Sequence, residues 1–217
     1  MLTEAQIDRY SRQIILPEVG GRGQERLQTA RLALCAEWTD LLLVLDYLAG
    51  AGIGEILIDT LAQSNAPSWK AWLDRVRGLN PEVRIELGSA TGLQPRDATL
   101  VLAGSQRVLD RSRAANAASR GAVIFARLDA PLLAVLPKRP PCLACADARL
   151  LAPFSPRNRD AAEAPTAAIV AMAAAGETIK QLLGIAPPGT ILTEFHGYEM
   201  VPFSPPSGAL HGCQVCG

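Results

Sequence analysis

The chain has 217 residues, 49% of them hydrophobic, with 21 basic and 21 acidic side chains and a formal net charge of zero. Such an apolar content supports a sizeable core and excludes a disordered chain. Zero net charge excludes a global field drawing the protein to nucleic acid or to an anionic membrane, so no nucleic-acid partner and no membrane partner is expected.

The N-terminal Met-Leu-Thr-Glu-Ala-Gln-Ile-Asp lacks the cationic and apolar regions of a secretory signal, which implies a cytoplasmic protein. An amphipathic helix is expected from Glu4 to about Leu16, then Gly20-Gly21-Arg22-Gly23, then a short helix from Gln24 to Gln28. Leu32 to Cys35 reads as a strand. Leu41, Leu42, Val44, Leu45 and Leu48 follow at helical spacing, up to Gly50. The triplet Gly50, Gly52 and Gly54 imitates a phosphate loop, but such a loop needs the order strand, glycines, helix. Here the glycines follow the helix, so they read as a helix C-cap and a turn into the strand Glu55 to Asp59.

Beyond the connection Ala62 to Ser68, the sequence predicts a helix ending before Asn80-Pro81, then strands Val83 to Leu87 and Thr99 to Ala103. A basic helix, Arg107 to Arg120, stops at Gly121, and strands Ala122 to Ala126 and Leu132 to Leu136 follow. This alternation predicts an α/β fold with a doubly wound, mostly parallel, Rossmann-like sheet. Residues 149–164 break the rhythm and read as an exposed crossover loop. Ala164 to Ala175 is too short to span a bilayer and reads as part of a buried helix, Thr166 to Leu183. Strands around Ile191 to Phe195 and Glu199 to Phe203 close the series.

Four of the five cysteines fall in two identical spacings, Cys142-Leu-Ala-Cys145 and Cys213-Gln-Val-Cys216. Each turn presents two thiolates, and two turns complete a tetrahedral Zn²⁺ site. Two disulfides are disfavoured in a reducing compartment. A redox pair belongs at a helix start after a strand. Four sulfur ligands leave no open position for water, so this zinc is expected to be structural and to form a C-terminal four-cysteine zinc knuckle. Cys35 ends a core strand and reads as a small buried hydrophobe. His211 reads as an outer neighbour of the cysteines rather than a fifth ligand, and His196 as part of a strand-turn.

The stretch Arg9-Tyr10-Ser11-Arg12-Gln13-Ile14-Ile15-Leu16-Pro17-Glu18-Val19-Gly20, with Gly23-Gln24 and Leu27 behind it, resembles the N-terminal signature of the MoeB/ThiF/HesA family, bacterial relatives of ubiquitin-activating enzymes. Tyr47-Leu48-Ala49, Ala51-Gly52-Ile53-Gly54, Leu79-Asn80-Pro81, Thr178-Ile179-Lys180, Leu183-Gly184 and both cysteine pairs extend the likeness over essentially the whole chain. The segment between Asp59 and Asn80 is shortened. The resemblance implies one domain over residues 1–217: a helical arm (1–30), a nucleotide-binding-type half (31–140), and a remainder (141–217) with crossover loop, interface helix, last strands and knuckles. It implies a dimer that adenylates the C-terminal Gly-Gly of a ubiquitin-like sulfur carrier.

Several parts of that machinery are replaced. The family's phosphate-loop glycines align with Ala36, Trp38, Thr39 and Leu41, with Glu37 and Asp40 adding negative charge. Thr39 or Asp40 is expected to cap the helix that would otherwise hold a phosphate. Asp59 matches the aspartate that takes the ribose, Leu61 replaces a second one, and Lys70 approximates a phosphate-binding lysine. Of the Ser-Asn-Leu-x-Arg-Gln segment only Ser64-Asn65 remains; the Mg²⁺ aspartate aligns with Gln106 and the active-site cysteine with Arg157. ATP binding is therefore doubtful, because even a modest enzyme must supply about 8 kcal/mol of barrier reduction.

The expectation is a catalytically degenerate relative with no catalytic residue of its own. Arg12, whose counterpart crosses the family dimer to the partner's ATP, is retained either as an arginine acting in trans or, with Arg9 and Tyr10, as an anchor of the first helix. The expected partners are a second copy or a complete relative, and a ubiquitin-like carrier. An alternative is a repurposed enzyme whose former nucleotide cleft is lined by Asp59, Ser64, Lys70, Ser105 and Arg107. Whether Trp38 fills that cleft separates the two.

Overall fold

The structure is a computed structural model, and it describes residues 1–60, 67–88, 96–111, 121–136, 148–152, 164–187, 189–197 and 199–203. The first helix, α1 (Glu4–Ile14), opens on a capping box in which Thr3 Oγ1 accepts from the Gln6 amide and Gln6 Oε1 from the Thr3 amide at 2.8 Å. The second, α2 (Gly20–Thr29), is longer than the expected Gln24 to Gln28 and takes in the glycines. The reason is packing: a Cβ at Gly23 would stand 3.0 Å from Leu183 Cδ2, so the glycine lets α2 lie close against a later helix.

Eight strands follow in one sheet: β1 (Arg31–Ala36), β2 (Glu55–Thr60), β3 (Arg84–Leu87), β4 (Ala98–Ala103), β5 (Ala122–Arg127), β6 (Leu132–Leu136), β7 (Ile191–His196) and β8 (Glu199–Phe203). Their order is β3-β2-β1-β4-β5-β6-β7-β8. The first five pair in parallel, and β6 to β8 are antiparallel. The parallel half is the doubly wound unit the alternation predicts, and the antiparallel half departs from it. Between β5 and β6 lie only four residues, 128–131. A crossover to a parallel strand needs a dozen or more, so this connection has to be a hairpin.

The helices α3 (Trp38–Gly50), α4 (Pro67–Leu79) and α6 (Ala164–Leu183) pack on one face of the sheet, with Leu41, Val44, Leu48, Val76, Val170 and Ala174 among its buried side chains. On the other face a short helix over residues 106–111, here α5, and a 3₁₀ turn (Ala148–Leu151) cover Cys35, Val101, Phe125 and Leu136. The helices after β1 and β4 thus leave on opposite faces. In an open α/β sheet that is the switch point where ligands enter.

Among the described residues no helix is long and apolar enough to cross a membrane. Of the expected basic helix only residues 106–111 are described, and the crossover loop lies almost wholly outside the described residues.

Candidate functional site

Glycines 50, 52 and 54 have the structural roles their position predicts. Helix α3 ends at Gly50, and Gly52 turns the chain with φ +91°. A Cβ on Gly54 would meet the Gln28 carbonyl oxygen at 1.8 Å, and one on Gly52 would meet Gln24 Nε2 at 2.3 Å and the Tyr10 ring at 2.9 Å. Gln24 donates to the Ala51 carbonyl at 3.0 Å, and Asn80 to that of Ala49 at 2.9 Å. Residues carrying the family likeness, Tyr10, Gln24, Gly52, Gly54 and Asn80, thus meet where the N-terminal arm docks, at the end of β2 opposite to Asp59.

At the switch point, β1 runs out at Ala36 and α3 begins at Trp38. The cap residue is Glu37, not Thr39 or Asp40 as expected, and its side chain makes no capping hydrogen bond. The Glu37 carbonyl already accepts from the Asp40 and Leu41 amides at 3.1 and 3.0 Å, which places Thr39 and Asp40 inside the first turn. Asp40 is buried there and sets a carboxylate at the positive end of the helix dipole.

Trp38 fills the space beside this turn. Its ring meets Trp69 edge-on at 5.4 Å and Trp72 at 5.9 Å, while Trp69 and Trp72 stack at 5.1 Å. These are all three tryptophans of the chain. Lys70 lies exposed on α4 between Trp69 and Trp72. Ser64, Asn65 and Leu61 lie outside the described residues.

Asp59 is at the C-terminal end of β2, and its carboxylate is 1% exposed. Arg111, from α5, reaches it with a 2.6 Å ion pair. Cys35 stands beside Asp59 in register on β1. Burial, with the Asp59 charge adding to it, pushes the Cys35 thiol up to about 12. A nucleophile needs the opposite shift, so Cys35 is the inert core residue its position predicts.

Of the expected cleft lining, Lys70 and Arg107 are exposed, while Asp59 and Ser105 are engaged within the fold. Asp59 is buried against Arg111, and the Ser105 hydroxyl accepts from the Val108 amide at 3.4 Å, a helix-cap contact. Gln106, at the Mg²⁺ aspartate position, donates to Asp110 at 2.8 Å. Arg111 was not among the expected site residues, since nothing local in sequence points it at Asp59.

Arg12 is exposed in the last turn of α1. Its neighbours do the anchoring. Tyr10 is fully buried, Arg9 lies 5.9 Å from the Tyr10 ring and 3.8 Å from Glu82, and Gln13 donates to the Gly50 carbonyl at 3.2 Å. Cys142, Cys145, Cys213, Cys216, Arg157 and His211 lie outside the described residues, and His196 is exposed at the end of β7. Among the described residues no three His, Cys, Asp or Glu side chains group as metal ligands.

The turn at residues 148–152 is held by a buried arginine that the sequence reading also missed. Arg127, at the end of β5, pairs with Asp129 through two of its nitrogens, Nε donating at 2.8 Å, both side chains at most 5% exposed. Its Nη1 donates to the carbonyls of Arg149 at 2.9 Å and Ala152 at 2.7 Å.

A parallel doubly wound half continued by antiparallel strands, with a helical arm docked under its glycine turn, is an α/β fold that this chain shares with solved structures of other proteins. The comparisons agree. The chain is 34% identical over 127 residues to the SAMP-activating enzyme E1 of Haloferax volcanii, covering 51% of this chain and 47% of that protein. It is 35% identical over 100 residues to the sulfur carrier protein adenylyltransferase of Thermus thermophilus, covering 39% and 37%. These alignments span less than half of either relative. Among solved structures, E. coli MccB with ATP matches with a TM-score of 0.66 at 16% identity, covering 99% of this chain and 75% of that one. MccB with N-formylated MccA matches at 0.67 and 18%, covering 96% and 75%. At such identities these likenesses concern the fold. No family profile matches the chain. The resemblance to the MoeB/ThiF adenylyltransferases read from the motifs is thus shown by relatives and fold together.

Proposed function

We propose that this protein is a non-catalytic subunit in the activation of a ubiquitin-like sulfur carrier, paired with a second copy or with a complete relative. The observation that carries this reading is the tryptophan cluster beside the first turn of α3, together with the Arg111–Asp59 ion pair. Trp38 opens α3 and packs against Trp69 and Trp72 of α4, and Arg111 pairs with the Asp59 carboxylate that a ribose would need. Adenylation brings two anions together and requires backbone N–H groups, cations and Mg²⁺ to offset them. Here the cap is Glu37, the first turn contains Asp40, and the metal carboxylate is an amide, Gln106.

Two features favour a partner. Helices α3 and α6 pack together and leave Leu42, Tyr47 and Met172 between 37% and 51% exposed. Arg12 stands apart from the arm's anchoring contacts and can reach a neighbouring subunit. The four thiolates of Cys142, Cys145, Cys213 and Cys216 are soft donors in tetrahedral number, which fits Zn²⁺; bound there, zinc ties the two segments together and does no chemistry.

The test has two arms. Calorimetry of the protein alone with Mg-ATP should give no binding at about 1 mM, a range where the family's chemistry requires it. Micromolar binding would overturn the reading. Mixed with a complete relative and its carrier, the wild type should raise adenylation and Arg12→Ala should not. Equal stimulation by both would remove Arg12 from the proposal.

A further inference from the structure

We propose that the pocket between the N-terminal arm and the glycine turn is a binding site for a small neutral molecule carrying a primary carboxamide. The pocket has a volume of about 190 Å³. Gln6 and Tyr10 of α1, Gln28 of α2, the turn from Gly52 to Gly54, and Asn80 and Glu82 after α4 line it. It lies at the end of β2 away from Asp59, so nothing in the function proposed above depends on it. Two donors in its wall have no partner. Tyr10 is 1% exposed, and its hydroxyl makes no hydrogen bond. Gln28 Nε2 is equally shut from solvent and equally unmatched. The two groups stand close together: burial raises the Tyr10 pKa, and Arg9 and Gln28 offset part of that rise from beside its oxygen. Buried polar groups in folded proteins are almost always matched, because leaving one unmatched forfeits its hydration.

The other amides of the wall are already engaged at both ends. Asn80 Nδ2 donates to the Ala49 carbonyl at 2.9 Å, and its Oδ1 accepts from the Glu82 amide at 3.1 Å. Gln6 Oε1 accepts from the Thr3 amide at 2.8 Å, and its Nε2 donates to Glu82 Oε2 at 2.9 Å. What the pocket lacks is therefore an acceptor for Tyr10 and Gln28, and what its wall still offers is the Glu82 carboxylate. A carboxamide answers both. Its carbonyl oxygen, with two lone pairs, takes the Tyr10 O–H and the Gln28 N–H, and its NH₂ group donates to Glu82. A carboxylate would satisfy the same two donors but set a like charge beside Glu82. An ammonium group would offer no acceptor, and Arg9, 3.8 Å from Glu82, already balances that charge. The site as a whole is neutral and selects a neutral ligand.

The test is saturation-transfer NMR on the full-length protein, with propionamide as probe and propionate, an acid of the same shape, beside it at about 1 mM each. Wild type should transfer saturation to propionamide and at least about fivefold less to propionate. Tyr10→Phe and Gln28→Leu each remove one donor and should weaken the propionamide dissociation constant about five- to tenfold. Glu82→Gln keeps the main-chain contact with Asn80 but removes the charge, so the amide and the acid should then bind within about twofold of each other. That substitution is at an exposed position and carries the test if either of the other variants fails to fold. No transfer to either probe would mean that the pocket takes only water and would overturn the proposal. Equal transfer to amide and acid by the wild type would overturn it too, as would an unchanged propionamide constant in folded Tyr10→Phe and Gln28→Leu.

Discussion

A methyl group at position 54 would collide with main chain, not with a movable side chain, since the atom it meets is the Gln28 carbonyl oxygen. Gly54→Ala should cost about 3 kcal/mol, at the upper end of overpacking effects, read as a shift of the urea midpoint. Gly50→Ala, where a Cβ meets nothing within 4 Å, should cost far less. Cys35 makes a second prediction. Unfolded, its thiol ionises near pH 9; folded, it keeps its proton to about 12. The folded state binds that proton more tightly, so the contribution is fully present below pH 9 and disappears as pH rises through 12. The stability difference between wild type and Cys35→Ala should therefore shrink from about pH 8 to about pH 11. Both residues were legible in sequence: the glycines by their place after a helix, the cysteine by its place in a core strand. Arg111 was not, because it meets Asp59 through the fold; nor was Arg127, whose carbonyl partners come from a later turn, and only the charges at the end of the apolar run Ala122 to Ala126 hinted at it.

The tryptophan cluster ties α3 to α4, with Arg75 and Asp46 adding a 2.5 Å ion pair between the same helices. Edge-on and stacked rings contribute about 0.5–1.5 kcal/mol per pair beyond their buried area, so Trp38→Leu should cost about 2 kcal/mol. Because Trp38 touches both other rings, its loss should also remove more than a third of the near-ultraviolet dichroism of the tryptophans; a strictly proportional loss would mean that the rings do not couple. The strands and the long helix were readable from apolar runs and spacing, and their ends moved by a residue or two. Two elements were misread for physical reasons. Low intrinsic propensity hid the glycine-rich start of α2, which close packing on Leu183 restores. The expectation of a mostly parallel sheet left out the hairpin from β5 to β6, which the four-residue connection imposes.

At the scale of the molecule, single replaced positions were easier to read in the sequence than the contacts their replacements make. Residues that differ from the family pattern are visible one at a time, whereas the tryptophan cluster and the Arg111–Asp59 pair depend on rings from two helices and a cation from a third element meeting in space.

The neighbours of helix α6 are α2, α3, β4, β5 and β6, while β7 adds directly to β6. Everything described downstream of residue 163 is therefore seated on scaffold made upstream of residue 137. Covalent continuity between those two stretches is not what keeps them together. Supplied as two polypeptides divided near residue 158, the halves should find each other and reconstitute one particle, with the eluted mass of the intact protein. Such a break would make the molecule a complementation pair, and fragments that elute separately would show that the peptide link, rather than the buried helix, was the true hinge pin.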